Sequence, residues 1–320
     1  MENSRTAIPR LVAADKTLDA RVLRPLPALW VSLRPYQWVK NALIFGGLIF
    51  SRSLSHWDAL ELTIVAFLSF CMASSSVYLL NDLRDLKEDR NHPVKSQRPL
   101  AAGLIAPRTA VTAIAILLIG SGLMAMTLPP AFSVILGIYF LINLAYSMGL
   151  KSIVILDVMM VSMGFVLRAV AGAVVIGVIA SAWLVLCTLM LALLVSFGKR
   201  RHELMLLKTD AQNHRVSLQD YSIQFLDLMM AISAGAAVVM YALYTMADET
   251  VQRFGSRGLM LTVPFVVYGV FRYLFLVHQR RNGGDPARLF VTDRAMLLNG
   301  FLWVFAVFVV LYGPSGWLPW

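Results

Sequence analysis

Charge is scarce in this chain. Of its 320 residues only 14% are Asp, Glu, Lys or Arg, against 58% that are hydrophobic, whereas a water-exposed globule carries about a quarter charged. That shortage excludes a two-domain soluble enzyme, a coiled coil, a disordered chain and a soluble nucleic-acid binder, so no nucleic-acid partner is expected. Cysteine is scarcer still. Cys71 and Cys187 both fall within apolar runs, where a thiol behaves as a small buried hydrophobe, and neither a disulfide framework nor a thiolate metal site is expected from them. The chain also lacks a Gly-rich phosphate loop and a Ser-His-Asp order, and its five histidines (His56, His92, His202, His214 and His278) have no ligand spacing. Any phosphate chemistry must then be run by a metal and by side-chain cations. Residues 1–30 hold Arg5, Arg10, Lys16, Arg21 and Arg24 but no apolar run of signal-peptide length, and we expect 1–31 to be a mobile, basic cytoplasmic tail.

What the chain has instead is apolar length. Nine stretches approach the roughly 20 apolar residues that cross a bilayer: near 39–51, 60–81, 108–127, 131–147, 153–178, 181–198, 221–246, 258–278 and 295–312, the first being the shortest. Pro129-Pro130, Gly255 and Gly283-Gly284 punctuate the connections. The expected fold is an all-α polytopic membrane protein of about nine transmembrane helices, with one catalytic domain over 32–312 and a short non-cytoplasmic tail over 313–320. Trp317 and Trp320 in that tail suit a membrane interface. Orientation follows from the cations. Twenty-three Lys and Arg fall on the side of the N-terminus and three (Arg52, Arg253 and Arg257) on the other, with Arg168 and Arg272 inside spans. Short cytoplasmic loops retain positive charge, which places the N-terminus inside, the C-terminus outside and the protein in the cytoplasmic membrane. Topology accounts for most of the net charge of +10. It does not account for the acids.

Asn81-Asp82-Leu83-Arg84-Asp85-Leu86-Lys87-Glu88-Asp89 follows the second span without Pro or Gly, so the helix is expected to run on through it. At 3.6 residues per turn Asp82, Asp85 and Asp89 share one face, with Tyr78 a turn earlier. Three carboxylates on one stripe repel one another, and a hard divalent cation relieves them, Mg2+ being favoured when phosphate oxygens complete its shell. His92-Pro93, Lys95 and Arg98-Pro99 then break the helix and fold cations back over its end. Metal on one set of oxygens and Lys and Arg on the other is how a diphosphate is held.

Further polar residues fall on the same side: Arg34, Gln37, Trp38, Lys40 and Asn41 before the first span, Tyr146 and Lys151 between the fourth and fifth, and Lys199, Arg200, Arg201 and Glu203 after the sixth. Each alone is equally well read as a side chain snorkelling to the headgroups. Asp157 and Arg168 differ, because they lie within the fifth span, where an ionisable group is costly unless paired or facing a polar cavity. Eleven residues apart, they share a face at a separation of about 16 Å, too far to pair with each other. Asp157 would line the mouth of a cavity and Arg168 its depth, where a lipid phosphate fits; partners on another helix are the alternative.

The acidic motif Asn81-Asp82-x-x-Asp85-x-x-x-Asp89 at the end of a second span resembles the first aspartate-rich motif of the UbiA superfamily of intramembrane prenyltransferases. Members carry a second Asp-x-x-x-Asp after the sixth span, where this chain reads Gly198-Lys199-Arg200-Arg201-His202-Glu203-Leu204. That departure resembles the decaprenyl-phosphate phosphoribosyltransferase branch. So do Arg34-Pro35-x-Gln37-Trp38-Val39-Lys40-Asn41, Lys95-x-x-Arg98-Pro99, Tyr146-x-x-x-Leu150-Lys151 and Arg168-Ala169-x-Ala171-Gly172. The resemblance implies a UbiA-like bundle with a polar cavity on the cytoplasmic side. It implies Mg2+-dependent transfer of 5-phosphoribose from phosphoribosyl diphosphate to a polyprenyl phosphate, feeding arabinan synthesis, and a homotrimer. Asp82, Asp85 and Asp89 would be the catalytic metal ligands. Lys40, Asn41, Asn81, Lys95, Arg98, Tyr146, Lys151, Asp157, Arg168, Lys199, Arg200 and Glu203 would line the substrates. Two other readings compete: a prenyltransferase using a prenyl diphosphate and an aromatic or quinone-precursor acceptor, and a secondary transporter. The transporter ranks low because the dense polar clusters gather at one face rather than at the midplane.

Overall fold

A computed structural model describes residues 25–91, 94–207, 218, 220–279, 289 and 292–313. The basic tail before residue 25, His92-Pro93, most of the 208–219 loop, Gly283-Gly284 and the Trp317–Trp320 tail lie outside these. Among the described residues the regular structure is entirely helical. In chain order the helices are α1 (Pro25–Leu33), α2 (Phe45–Phe50), α3 (Trp57–Arg84), α4 (Leu86–Asn91), α5 (Pro107–Met126), α6 (Pro130–Met148) and α7 (Leu156–Val175). They continue as α8 (Ala182–Leu207), α9 (Ile223–Met246), α10 (Asp248–Phe254), α11 (Val263–Gln279) and α12 (Arg294–Tyr312). Eight helical runs are long and apolar enough to cross a membrane: α3, α5, α6, α7, α8, α9, α11 with the 3-10 turn before it, and α12. Proline at the first turns of α5 and α6 gives up an N–H that no helix would use. Ser222 and Asp293 cap α9 and α12 by accepting from the Phe225 and Met296 amides.

The short candidate span at 39–51 begins earlier than its apolar residues do. It is a 3-10 segment, Pro35–Ile44, continuing into α2. Ten residues rising about 2.0 Å each and six rising about 1.5 Å cover about 29 Å, close to the hydrocarbon thickness of about 30 Å. It is not one of the eight long apolar runs, but its two ends meet opposite ends of the bundle. Arg34 meets Asp82 at the C-terminal end of α3, whereas Ile49 offers its carbonyl to Tyr312 at the end of α12. Glycine makes the packing tight. A Cβ on Gly172 would overlap the Ile44 carbonyl, and one on Gly47 would lie 2.5 Å from the Gly172 oxygen, so the segment and α7 touch backbone to backbone.

Of four apolar cores, two are the largest. Phe70, Phe132, Tyr139 and Ala171 join α3, α6 and α7, and Leu194, Leu226, Met230 and Tyr273 join α8, α9 and α11. Outward-facing Ile116, Ile119, Leu123, Phe271, Phe301 and Phe305 are exposed, as lipid-facing residues are in a protein whose solvent is hydrocarbon. One expectation needs correction. The helix of the second span does not run unbroken through the acidic motif: α3 ends at Arg84, Asp85 takes non-helical dihedrals, and α4 restarts at Leu86. The break is slight, since the Asp85 and Asp89 amides still bond to Asn81 and Asp85.

Candidate active site

The 28 residues of α3 reach about 42 Å, more than a bilayer core, so its last turn carries Asn81 and Asp82 to one end of the bundle. Asp82 is 3% exposed and accepts from Arg34 Nη2 at 2.5 Å and Arg98 Nη1 at 3.0 Å. The same Arg98 nitrogen reaches Asp89 Oδ2 at 2.6 Å. One cationic atom therefore sits between two buried carboxylates that come from α3 and α4. Arg34 attains its place through left-handed backbone (φ 53°, ψ 56°) and lies 5.1 Å from the Tyr78 ring centre. Such a conformation is strained for any residue but glycine and asparagine, and here the ion pair holds it. Asn81 accepts from Ser147 of α6.

Asp85, expected at the middle of a three-carboxylate stripe, turns elsewhere: it accepts from Lys151 Nζ at 2.7 Å and is partly exposed. Among the described residues no group of three or more His, Cys, Asp or Glu side chains gathers as a metal cluster. The donor chemistry of Asp82 and Asp89 still fits Mg2+. Both offer hard oxygens to a single point that a cationic nitrogen now occupies, the ligand type that ion takes when phosphates complete its shell.

A second cluster joins α6, α7 and α8. Asp157 is fully buried and accepts from Arg200 Nε at 2.6 Å and from the Tyr221 hydroxyl at 2.8 Å. Arg200 is itself buried and donates to Glu203 at 2.6 Å and to the Tyr146 hydroxyl at 3.1 Å. Lys199 Nζ lies 3.9 Å from Glu203 and is half exposed. Asp157 is aimed by an unusual turn. Ile155 has φ 68° and ψ −46°, with the Leu156 amide bonded to the Val154 carbonyl at 2.8 Å, a positive-φ γ-turn that is strained for a β-branched residue. The Ile155 amide donates to the Tyr221 hydroxyl at 2.7 Å, and that hydroxyl in turn donates to Asp157. Burial, reinforced by the Asp157 carboxylate, pushes the Tyr221 phenol well above its usual range, so it keeps the proton it donates.

Arg168 lies deeper, 5% exposed. It donates to Asn41 Oδ1 at 2.6 Å, the Gly164 carbonyl at 2.6 Å and the Tyr139 hydroxyl at 2.9 Å, with the Tyr139 and Phe165 rings alongside. Asn41 also donates to Ser74 at 3.3 Å. Among the described residues no carboxylate comes within ion-pair range of Arg168, so a buried guanidinium is met by neutral acceptors alone. Lys40 Nζ is 6.0 Å from the Phe165 ring, and Lys95 opens the exposed 3-10 turn that delivers Arg98.

Twelve of the fifteen residues assigned to the site from the sequence thus fall into four groups: Asp82, Asp89 and Arg98; Asp85 and Lys151; Asp157, Arg200, Glu203 and Tyr146, with Lys199 beside them; and Asn41 with Arg168. Asn81 meets Ser147, Lys40 lies near Phe165 and Lys95 stands in the exposed turn before Arg98. As expected, Asp157 and Arg168 do not pair with each other; each finds partners elsewhere. Arg34, quoted in a motif but not assigned to the site, is the second partner of Asp82, and its Arg-Pro pair before an apolar run was the available signal. Tyr139 and Tyr221 carried no signal, being lone tyrosines with partners 29 and 64 residues away.

The sequence pattern of the UbiA prenyltransferase family matches residues 41–303. The chain is 30% identical over 292 residues to the decaprenyl-phosphate phosphoribosyltransferase of Mycolicibacterium smegmatis, covering 88% of this chain and 91% of that one. It is 31% identical over 287 residues to the protein of the same name from Corynebacterium glutamicum, covering 88% and 86%. Its fold is similar to that of a UbiA homolog from Archaeoglobus fulgidus bound to GPP and Mg2+, with a TM-score of 0.69 and 18% identity over 89% of this chain and 99% of that one.

Proposed function

This chain belongs to the UbiA prenyltransferase family, and we propose that it transfers 5-phosphoribose from phosphoribosyl diphosphate to a polyprenyl phosphate and releases diphosphate. In the reaction the bond from ribose C1 to the diphosphate oxygen breaks and a bond from C1 to an oxygen of the lipid phosphate forms. The observation that carries this reading is the buried Arg200 with Lys199 and Glu203 on α8, standing where a second acidic metal motif would serve a prenyl diphosphate. A site for a sugar phosphate, a diphosphate and a lipid phosphate needs more cations than one for a diphosphate and a neutral ring. The names of the relatives agree.

Asp82 and Asp89 would hold Mg2+, which when bound neutralises diphosphate charge and makes it a better leaving group. Arg34 and Arg98, now on those carboxylates, are the cations able to swing onto the donor's diphosphate. Lys199 and Arg200 hold its 5-phosphate, by point charge and by planar fork respectively, while Glu203 orients them. Arg168, a buried cation with no carboxylate partner among the described residues, attracts the acceptor phosphate. That phosphate is already anionic and attacks C1 without a general base. A cytoplasmic location of this end supplies the soluble donor, and the lipid product would feed arabinan assembly.

The test is to incubate the purified protein with Mg2+, phosphoribosyl diphosphate and polyprenyl phosphate and to weigh the lipid. A mass gain of one phosphoribosyl group is expected. Turnover of a prenyl diphosphate with an aromatic acceptor, and none of phosphoribosyl diphosphate, would move the chain to the prenyl-transferring members.

A further inference from the structure

The 3-10 segment before α2 has three residues per turn, so its side chains at i and i+3 eclipse one another. Gln37 and Lys40 within it therefore share one stripe, a step of about 6 Å apart, and the Gln37 backbone amide donates to the carbonyl of Arg34 just before the helix. Arg34 at one end is bound to Asp82. Lys40 at the other lies near the Phe165 ring. Gln37 lies one turn beyond Arg34, next to the end of α3 where Asp82 is held. The alternate face of the segment is spent on structure, with Trp38 on Ser75 and Asn41 on Arg168.

Gln37 Oε1 is buried and, among the described residues, has no hydrogen-bond partner. A buried acceptor left unmade is costly and rare, and it calls for a donor. On the phosphoribosyl reading, the donor substrate brings few hydrogen-bond donors. Ionised phosphates only accept, and polyprenyl chains do neither. The hydroxyls of the pentose ring alone donate. We propose that Gln37 Oε1 accepts a hydrogen bond from a ring hydroxyl of the donor's pentose, and thereby selects a ribosyl over a prenyl diphosphate. This rests on the reading of the reaction given above. It makes Gln37 a specificity residue, because a site built to bond a hydroxyl rejects analogues that lack it far better than an apolar pocket rejects an added one.

Gln37→Met keeps the length of the side chain and removes the acceptor. In the full-length protein, binding of phosphoribosyl diphosphate and ribose 5-phosphate should weaken about 5- to 10-fold, the effect of one hydrogen bond in a buried site. Inorganic diphosphate, which has no hydroxyl, should bind as before. The native protein should prefer ribose 5-phosphate to its 2-deoxy or its 3-deoxy analogue, and Gln37→Met should lose that preference for whichever sugar lacks the bonded hydroxyl. Melting temperature without ligand should stay level or rise, since an orphan acceptor has gone. Should Gln37→Met fail to fold, Gln37→Glu, which keeps an acceptor oxygen, must retain the preference between sugars. An equal loss of inorganic diphosphate binding, or unchanged preference among the three sugars, overturns the inference and leaves the reaction standing. Failure of the native protein to bind any of the ribosyl compounds while it turns over prenyl diphosphate removes the reaction itself.

Discussion

Where Asp82, Asp89 and Asp157 lie, neighbouring segments are held by charge against charge; at the opposite end α2, α9, α12 and the 3-10 turn before α11 are held, among the described residues, without an ion pair. There Tyr241 bonds to Thr262 at 2.7 Å and receives the Trp303 indole at 3.1 Å, and Tyr312 donates to the Ile49 carbonyl at 3.2 Å. Phe50 and Phe254 fill the space between. A buried ion pair gains little over an apolar contact because both charges must be stripped of water, so stability alone does not explain why one end is ionic. The ionic end can exchange partners. An arginine on a carboxylate can move to a phosphate, as Arg98, already shared by two acids, shows the geometry to do. The other end carries Arg52 and Arg253 against Phe254, but among the described residues neither is paired with a carboxylate there.

The largest effect should come from unbalancing the ionic end. Arg200→Ala leaves fully buried Asp157 without its cation, and breaking a buried pair in this way costs about 3–5 kcal/mol of stability. A fall in melting temperature, largely recovered by adding Asp157→Asn, is the expected result; no fall would mean that the cluster is wet and its charges independently solvated. Next comes Asp82→Asn. The amide still accepts from Arg34 and Arg98, so the fold should persist, while turnover drops about 100- to 1,000-fold, the usual loss for one electrostatic stabiliser. Asp85→Asn, whose parent carboxylate is bound to Lys151 and partly exposed, should cost less, and steady-state rates on both variants would rank them; equal losses would return Asp85 to the metal shell. Lys199→Ala follows, with a donor affinity about 10-fold weaker, as for loss of about 1.5 kcal/mol in a charged hydrogen bond. Its melting temperature should not move, because Lys199 is half exposed. Smallest is Tyr241→Phe at the other end: about 1 kcal/mol of stability, read by thermal unfolding, with turnover unchanged. A loss of turnover there would erase the division between the two ends.

The eight long spans could be read directly, because hydrocarbon demands apolar runs of a set length. The first candidate span was legible only in part: a 3-10 helix covers a given length with fewer residues, and polar Gln37, Lys40 and Asn41 occupy its first half. The acids of the site were visible as a stripe with helical spacing. Their partners were not, since Arg34 and Asp82 are 48 residues apart and Lys151 and Asp85 are 66 apart, and no local period relates them. Ile155 at positive φ could not be anticipated, because a β-branched residue is among the last expected there; only the tertiary contact with Tyr221 makes the turn tenable.

The pairing of Asn41 with Arg168 bears on how the protein is made. The two are 127 residues apart, so at about 5–20 residues per second a ribosome delivers the second some 6 to 25 s after the first. Throughout that interval the opening segment has neither the guanidinium that engages Asn41 nor the glycine face of α7 that receives the Ile44 carbonyl. A segment carrying Lys40 and Asn41 has little reason to enter lipid alone. The first candidate span to be translated therefore finds these packing partners only once α7 has followed α3, α5 and α6 out of the ribosome.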